Sequence, residues 1–304
     1  MEIHQLQILR ELGDLGSVKA VAASLFVTPS AVSQQLALLQ RGIDVPLTRK
    51  EGRNLVLTDA GRVLATAGAS VIASMADARA AIGAFQDDAA ASVTISGFHS
   101  AGQALFAPLL RTLSADGAPL PRFFDEDVAQ QDFPALTARY DLVLAHRMDH
   151  TPRWPTERVA VVPLAHEPLD IAVPAGHALA DRTVLRPADL AGQDWVVSRE
   201  GYSPADILAA VAAVGGTAPR VVHRINDYTT VAALVGTGNV LGILPRYTAA
   251  VSADASVVLR PLEGINNRRR IDMLARPETL RRRSVRLVAD ALGAAMRELA
   301  GTDG

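Results

Sequence analysis

LGSVKAVAASLFVTPSAVSQQL, residues 15–36, is the stretch on which the reading of this chain turns. Ser17 is placed to cap a short helix running to Leu25. Phe26-Val27 interrupts the pattern. Thr28-Pro29 then opens a second helix, with Thr28 as cap and Pro29 at the first helical position, where a missing N–H costs nothing. That helix runs to about Arg41. Val32, Leu36 and Leu39 fall on one face of it, and Ser30, Ser33, Gln34, Ala37 and Arg41 on the opposite face. Upstream, Ile3, Leu6, Ile8, Leu9 and Leu12 recur at helical spacing over 2–13. Three helices at 2–13, 17–25 and 28–41 have helix-turn-helix proportions. In such a motif the second helix of the pair enters the major groove with its first residues on base edges. Its hydroxyl-and-amide face suits that task, since Gln can bond adenine in two places and Ser serves several bases. Ala20 and Ala23 keep the partner helix slim where the two cross.

Residues 47–50 and 54–57 are short extended runs joined at Glu51-Gly52, a small hairpin. Its Arg49, Lys50 and Arg53 would lie along phosphates or probe the minor groove. Each alone reads as a surface charge; beside the helix pair, contact is favoured. Residues 1–62 carry seven Lys/Arg against six Asp/Glu, so this region is nearly neutral. Binding would depend on where the charges point and on two-fold doubling of the reading helix. Thr58 caps a long helix through about Gln86. Leu64, Val71, Ala78 and Phe85 recur every seven residues, with Gly68, Met75 and Ile82 interleaved. This stripe suits a helix packed on its own domain or a dimerisation helix, and the second reading is favoured because a long narrow stripe needs a partner. Residues 87–91 read as a linker.

Beyond the linker, strands alternate with helices. Strands fit 93–97, 122–124, 141–145, 159–162, 170–173, 195–198, 220–224, 240–244, 257–260 and 271–274. Helices fit 100–113, 130–138, 204–214, 228–235 and 284–299. The alternation predicts an α/β domain with largely parallel sheets, made of two lobes joined by crossings near 163–170 and 261–268. Ligands of open α/β sheets sit outside the carboxyl ends of strands. Those ends carry His99, Ser100 and Gln103 after the first strand, then His146 and Arg147, then Arg199, Tyr202 and Ser203, then Thr229. Ser100 and Ser203 are equally placed to cap helices. Arg147 and Arg199 suit an anionic effector, or are surface charges. His99 reads as a rim or core histidine as readily as a ligand.

Residues 15–36, with Val45-Pro46-Leu47, Gly52-Arg53, Leu57-Thr58 and Ala60-Gly61, resemble the signature of the LysR-type transcriptional regulators. The resemblance covers essentially the whole length; it is specific at the N-terminus and a matter of layout beyond it. It implies a winged helix-turn-helix DNA-binding domain over 1–58, a linker and dimerisation helix over 59–88, and an effector-binding domain over 92–304. That domain would resemble type 2 periplasmic binding proteins, with lobe 1 about 92–163 and 267–304 and lobe 2 about 164–266. It further implies that Ser30, Ser33 and Gln34 face DNA, and Ser17, Thr28, Pro29 and Arg41 join Arg49, Lys50 and Arg53 as candidate DNA contacts beside them. The expected partners are double-stranded promoter DNA, a small-molecule effector between the lobes, and further copies of the chain as a dimer or tetramer. Two positions depart from the family pattern: Leu47 is followed by Thr48-Arg49 rather than Phe-x-Arg, and Gln35 and Ala37 stand where extra arginines are common.

The bulk numbers permit this. The chain has 304 residues, 49% hydrophobic and 20% charged, with a net charge of −2 and no cysteine, so several cores fit and no disulfide or thiolate metal site exists. No stretch approaches the roughly 20 apolar residues of a membrane span, and the first residues lack the basic and apolar regions of a signal peptide. A cytoplasmic protein is expected, without membrane contact. Gly236–Gly242 has the wrong spacing and context for a dinucleotide loop. His146 and His150 sit at a strand end rather than on one helix face, so no metal is expected. The arginine runs 268–270 and 281–283 read as solvated or intersubunit charge. No cofactor motif or catalytic constellation appears, so a regulator is favoured over a solute-binding protein or an enzyme.

Overall fold

The computed structural model describes all residues except 53, 84–90, 116, 250–255 and 302–304. At the N-terminus lie α1 (Ile3–Leu15), α2 (Val18–Ser24) and α3 (Pro29–Arg41). α1 stops where Gly16 takes a left-handed conformation, φ 69°, a region costly for any residue with a Cβ. Ser17 Oγ accepts from Ala20 N at 3.1 Å and Thr28 Oγ1 from Ala31 N at 3.2 Å, so both capping expectations hold. α2 and α3 meet at a bend of 108°, within the range of helix-turn-helix units. Val21, Val32, Leu36 and Leu39 bury against Leu9 and Leu12 of α1.

The hairpin pairs β1 (Thr48–Glu51) with β2 (Asn54–Leu57), Arg49 opposite Val56 and Lys50 opposite Leu55. Gln40 fixes the approach, donating to Ile43 O and Val45 O and accepting from Leu47 N. Thr58 Oγ1 donates to Pro46 O and accepts from Gly61 N, capping α4 (Asp59–Gly83). Gly61 lies so close to the Leu47 carbonyl that no Cβ fits there.

α4 is 25 residues long, about 38 Å at 1.5 Å per residue. Its stripe divides along that length. Leu64, Ala65 and Gly68 pack on the head, Gly68 against Leu6. Val71, Met75, Ala78 and Ile82 then emerge exposed, Ile82 at 61%. The reading of a helix packed on its own domain thus holds for the first half, and the second half leaves its stripe exposed. Phe85, like Arg53 and most of the linker, lies outside the described residues.

The C-terminal part comprises β3 (Ser92–Gly97), α5 (His99–Thr112), β4 (Leu120–Asp125), α6 (Phe133–Leu136), β5 (Leu142–Met148) and β6 (Ala160–Pro174). There follow β7 (Asp194–Val197), α7 (Ser203–Gly215), β8 (Arg220–Arg224), α8 (Tyr228–Gly236), β9 (Gly242–Pro245), β10 (Val257–Arg260), β11 (Arg268–Ala275) and α9 (Arg283–Gly301). The sheet order is β10-β6-β11-β5-β3-β4, with β9 also on β6. Lobe 1 buries β3, β5 and the first half of β6 under α5 and α9. Lobe 2 packs the second half of β6 with β7, β9, α7 and α8.

The sheet is mixed rather than largely parallel. Among the described strand pairs, β3–β4, β3–β5 and β7–β8 run parallel and the others antiparallel. The cause is the crossing itself. The strands expected at 159–162 and 170–173 are one strand, β6, antiparallel to β11 from Ala160↔Ala275 to Pro168↔Arg268. The first crossing is thus strand paired with β11, whereas of the second, expected at 261–268, only Arg268 lies in β11, and Leu169 N donates to Asn267 O just beyond the pairing. A continuous apolar run within 169–173 hid this, because Pro163, His166 and Pro168 read as loop residues.

Two ion-pair seams join the head to lobe 1. Arg276, at the end of β11, donates to Glu11 and Asp14 of α1 at 2.7–3.0 Å, and Arg10 donates to Glu278 at 2.8 Å. Arg10, Glu11 and Arg276 are all buried. Asp14 also pairs with Arg158.

Candidate functional site

On α3 the apolar face is buried and the polar face is open. Thr28, Pro29, Ser30, Ser33, Gln34, Ala37 and Arg41 are all exposed. Ser33 Oγ donates to Pro29 O at 3.0 Å, leaving its lone pairs outward. Ser17 and Thr28 accept cap bonds from Ala20 N and Ala31 N, which fixes the helix starts and leaves each O–H to donate outward. Gln35 is drawn back by His4 and Gln5 at 2.8 and 3.2 Å, whereas Gln34 is free to turn outward. Arg49 and Lys50 are exposed on the hairpin, Arg49 weakly paired with Glu51 at 3.5 Å. Phe26, in the turn before α3, is 96% exposed with φ 55°.

Between the lobes lies a cleft of about 400 Å³. Lobe 1 contributes Phe98, His99, Ser100, Asp125, Asp127 and His146. Lobe 2 contributes Ser198, Tyr202, Ser203, Asn226, Asp227 and Tyr228, and Arg269 of β11 closes the floor. Five of the expected residues meet here: His99, Ser100, His146, Tyr202 and Ser203. Gln103 and Thr229 stand at the mouth, where Gln103 Nε2 lies 3.2 Å from His99 Nε2 and 3.3 Å from Thr229 Oγ1.

Neither expected arginine lines this cleft. β5 turns His146 into it and Arg147 to the other side, where Arg147 lines a different hollow. Arg199 lies outside, its guanidinium 5.8 Å from the Tyr202 ring. Arg269 is instead the cleft's arginine, and its placement corrects the reading of 268–270 as surface charge. It is 1% exposed and bound to Glu167, Thr248 and Ser100 at 2.8–3.2 Å. Strand alternation, which sends neighbours to opposite faces, was the available signal. Asp125 and Asp127 were equally open to the strand-end rule, since Asp125 ends β4 and Asp127 follows it.

The Ser100 and Ser203 hydroxyls do not cap. α5 begins at His99 and α7 at Ser203, each with no side-chain cap. Ser100 Oγ lies 3.1 Å from Thr248 Oγ1. Ser203 Oγ, His146 Nδ1 and Asn226 Nδ2 are buried atoms without a hydrogen-bond partner among the described residues. Such groups cost free energy when left unmade, and all three line the cleft. Burial, with Arg269 close by, holds His146 well below its ordinary pKa and so neutral.

His99 bridges the lobes. Its Nδ1 is 2.9 Å from Asp125 of lobe 1 and its Nε2 3.2 Å from Asp227 of lobe 2. The hydrogen bond to Asp125 raises its pKa against an opposing effect of burial. Asp227 is pushed up by burial but held below its ordinary value by Thr230 hydrogen bonds and by His99.

Two family models match: the bacterial regulatory helix-turn-helix protein of the lysR family over residues 3–62, and the LysR substrate binding domain over 86–297. The chain belongs to the LysR family. It is similar to the small neutral protease regulatory protein of Streptomyces coelicolor, 28% identical over 258 residues, covering 80% of this chain and 73% of that protein. It is also similar to the transcriptional dual regulator GltC of Bacillus subtilis, 24% identical over 263 residues, covering 86% and 87%. Among solved structures, full-length OxyR from Pseudomonas aeruginosa superposes with a TM-score of 0.67 at 17% identity, covering 96% and 94%. Full-length CbnR complexed with its target DNA gives 0.52 at 20%, covering 96% and 100%. These likenesses fix the fold: this LysR-family regulator couples a DNA-binding helix-turn-helix to an effector-binding domain. Among the described residues, no single helix is long and apolar enough to cross a membrane.

Proposed function

We propose that this chain is a cytoplasmic, homo-oligomeric transcription regulator, not an enzyme, divided at 1–58, 59–88 and 92–304. Its α3 reads double-stranded promoter DNA, and a small molecule seated between its lobes sets its activity. The observation that carries the reading is the two-sidedness of α3. Ser30, Ser33, Gln34 and Arg41 present open polar groups to base edges, while the helix is anchored from behind. Ser17, Thr28 and Pro29 fix the helix starts against the backbone. Arg49, Lys50 and Arg53 neutralise phosphates. The exposed Val71, Met75 and Ile82 of α4 supply the surface on which a second copy packs.

His99, Ser100, Gln103, His146, Tyr202, Ser203 and Thr229 are the effector residues of the cleft itself. The effector that suits them is a polar molecule satisfying Ser203, His146 and Asn226. Its binding favours one lobe closure, which changes how paired heads are spaced.

A mobility-shift titration over the upstream region, repeated at rising salt, tests the DNA reading. Gln34→Ala is expected to weaken the specific complex by about 1–3 kcal/mol and to relax one operator position, whereas Lys50→Ala weakens all sequences alike and lowers the salt slope by about one. A Gln34→Ala protein with unaltered sequence preference would remove α3 from the interface.

A further inference from the structure

The hollow into which Arg147 turns is separate from the interlobe cleft and has a volume of about 450 Å³. Pro134, Ala135, Pro152, Trp154 and Pro155 make its walls apolar. Gly201 and Asp206 of lobe 2 close one side, and Asp14 of α1 closes another. Its arginines are Arg147, Arg153 and Arg158.

In the lining these three arginines face two carboxylates, Asp14 and Asp206. Arg147 is buried; its Nη1 donates to Met148 O and Thr151 O at 3.4 and 3.5 Å, while its Nε has no hydrogen-bond partner among the described residues. The nearest carboxylate oxygen, on Asp272, is 3.9 Å away and already accepts from Trp154 Nε1 at 2.7 Å. Arg153 is exposed and has no ion-pair partner among the described residues. Of the two acids, Asp14 is engaged by Arg276 at 2.7 Å as well as by Arg158. Burial raises the pKa of Asp206, with nearby His150 opposing. The hollow therefore pairs a positive potential with an apolar body and an aromatic wall.

We infer that this hollow is a second ligand site, for a small organic anion carrying its acidic group on an apolar or aromatic body. The acidic group meets Arg147, Arg153 and Arg158, and the body rests on Trp154 and the prolines. The site differs from the interlobe cleft in what it touches. An anion there competes with Asp14 for Arg158, and Asp14 belongs to the DNA-binding head. Occupancy thus loosens one of the ion pairs holding α1 to lobe 1 without requiring the lobes to move.

The absence of native cysteine allows a direct test on the full-length protein. Ala135→Cys places a single thiol in the wall. Its reaction rates with anionic sulfonatoethyl methanethiosulfonate and with the cationic trimethylammonium analogue are compared, each relative to a free model thiol. The ratio cancels any change in thiolate fraction, because that acts equally on both reagents. A focusing cationic pocket is expected to favour the anionic reagent by about tenfold or more, and the added pair Arg153→Gln/Arg158→Gln is expected to collapse the preference. The tethered sulfonate should also raise amide exchange at the C-terminal turn of α1. A ratio equal to that of the free thiol, or one indifferent to the arginine substitutions, overturns the site. An anionic preference with unchanged α1 exchange overturns its coupling to the head. Gln131→Cys, on the same wall, replaces Ala135→Cys if that protein does not fold. These residues lie outside α3 and the interlobe cleft, so a negative result leaves promoter binding and the cleft untouched.

Discussion

Replacing Arg269 by Met, nearly its match in length and wholly without charge, tests what holds the two lobes in register. Glu167 is fully buried and Arg269 is 1% exposed, with their charged atoms 2.8–2.9 Å apart. Breaking a buried pair from one side costs about 3–5 kcal/mol, because the remaining charge has no solvent. Glu167 would keep three donors, Tyr247 N, Thr248 N and Thr248 Oγ1, which places the loss at the lower end, about 3 kcal/mol. For a domain of this size each kcal/mol lowers the midpoint by about 2–4 °C, so a drop of about 6–12 °C is expected. Circular dichroism melts of the full chain read it. The double variant Arg269→Met/Glu167→Gln removes both charges and should recover most of the loss, since apolar or neutral replacements of buried pairs are often close to neutral. A single variant melting within about 2 °C of the parent, or a double variant no better than the single, would refute the reasoning.

Three further outcomes are expected. The His99 clip depends on protonation. The histidine's pKa is raised in the folded chain, chiefly by Asp125, so its contribution to closure is fully present below the unfolded value of 6.5 and fades as pH rises through the raised one. A fluorophore pair spanning the lobes should report a more closed cleft at pH 6 than at pH 8, and His99→Gln should flatten that dependence. A flat parent profile would show that closure does not depend on the charge of His99. Gly61→Ala should destabilise the head by about 1–3 kcal/mol through overpacking against the Leu47 carbonyl, seen as faster amide exchange in α1–α3; unchanged protection would sink the idea. Val71→Glu with Met75→Glu should shift sedimentation toward monomer while the melting profile of the subunit stays intact, and an unchanged oligomer would free α4 of the role.

The head was legible because its signals are local. Ser17, Thr28, Pro29 and Gly16 act on neighbours within four residues, and the faces of α3 follow from helical period alone. The cleft was half legible. Strand-end reasoning finds residues that follow strands, such as His99, Tyr202 and Ser203, because the topology carries them there. It says nothing of which way a side chain turns at the last strand position, so His146 and Arg147 were indistinguishable until β5 fixed its pleat. Arg269 escaped for a related reason: its two arginine neighbours gave the run a surface character that alternation contradicts. The seams from Arg276 to Glu11 and from Arg10 to Glu278 join residues more than 260 positions apart. No periodicity reports contacts of that range. Pairing of β6 with β11 through the first crossing was hidden likewise, since a strand broken by Pro163 and Pro168 has no local signature of continuity.

That paired ribbon has a mechanical consequence. Two loops between lobes act as a door hinge, free to swing until something stops them. Two strands laced together along their length behave as a torsion bar, stiff to swinging and compliant to twist. Ligand binding between these lobes is then expressed as a small screw of one lobe against the other. Because α1 is riveted to the end of the same ribbon at Arg276, the screw is delivered to the reading head as a change of angle.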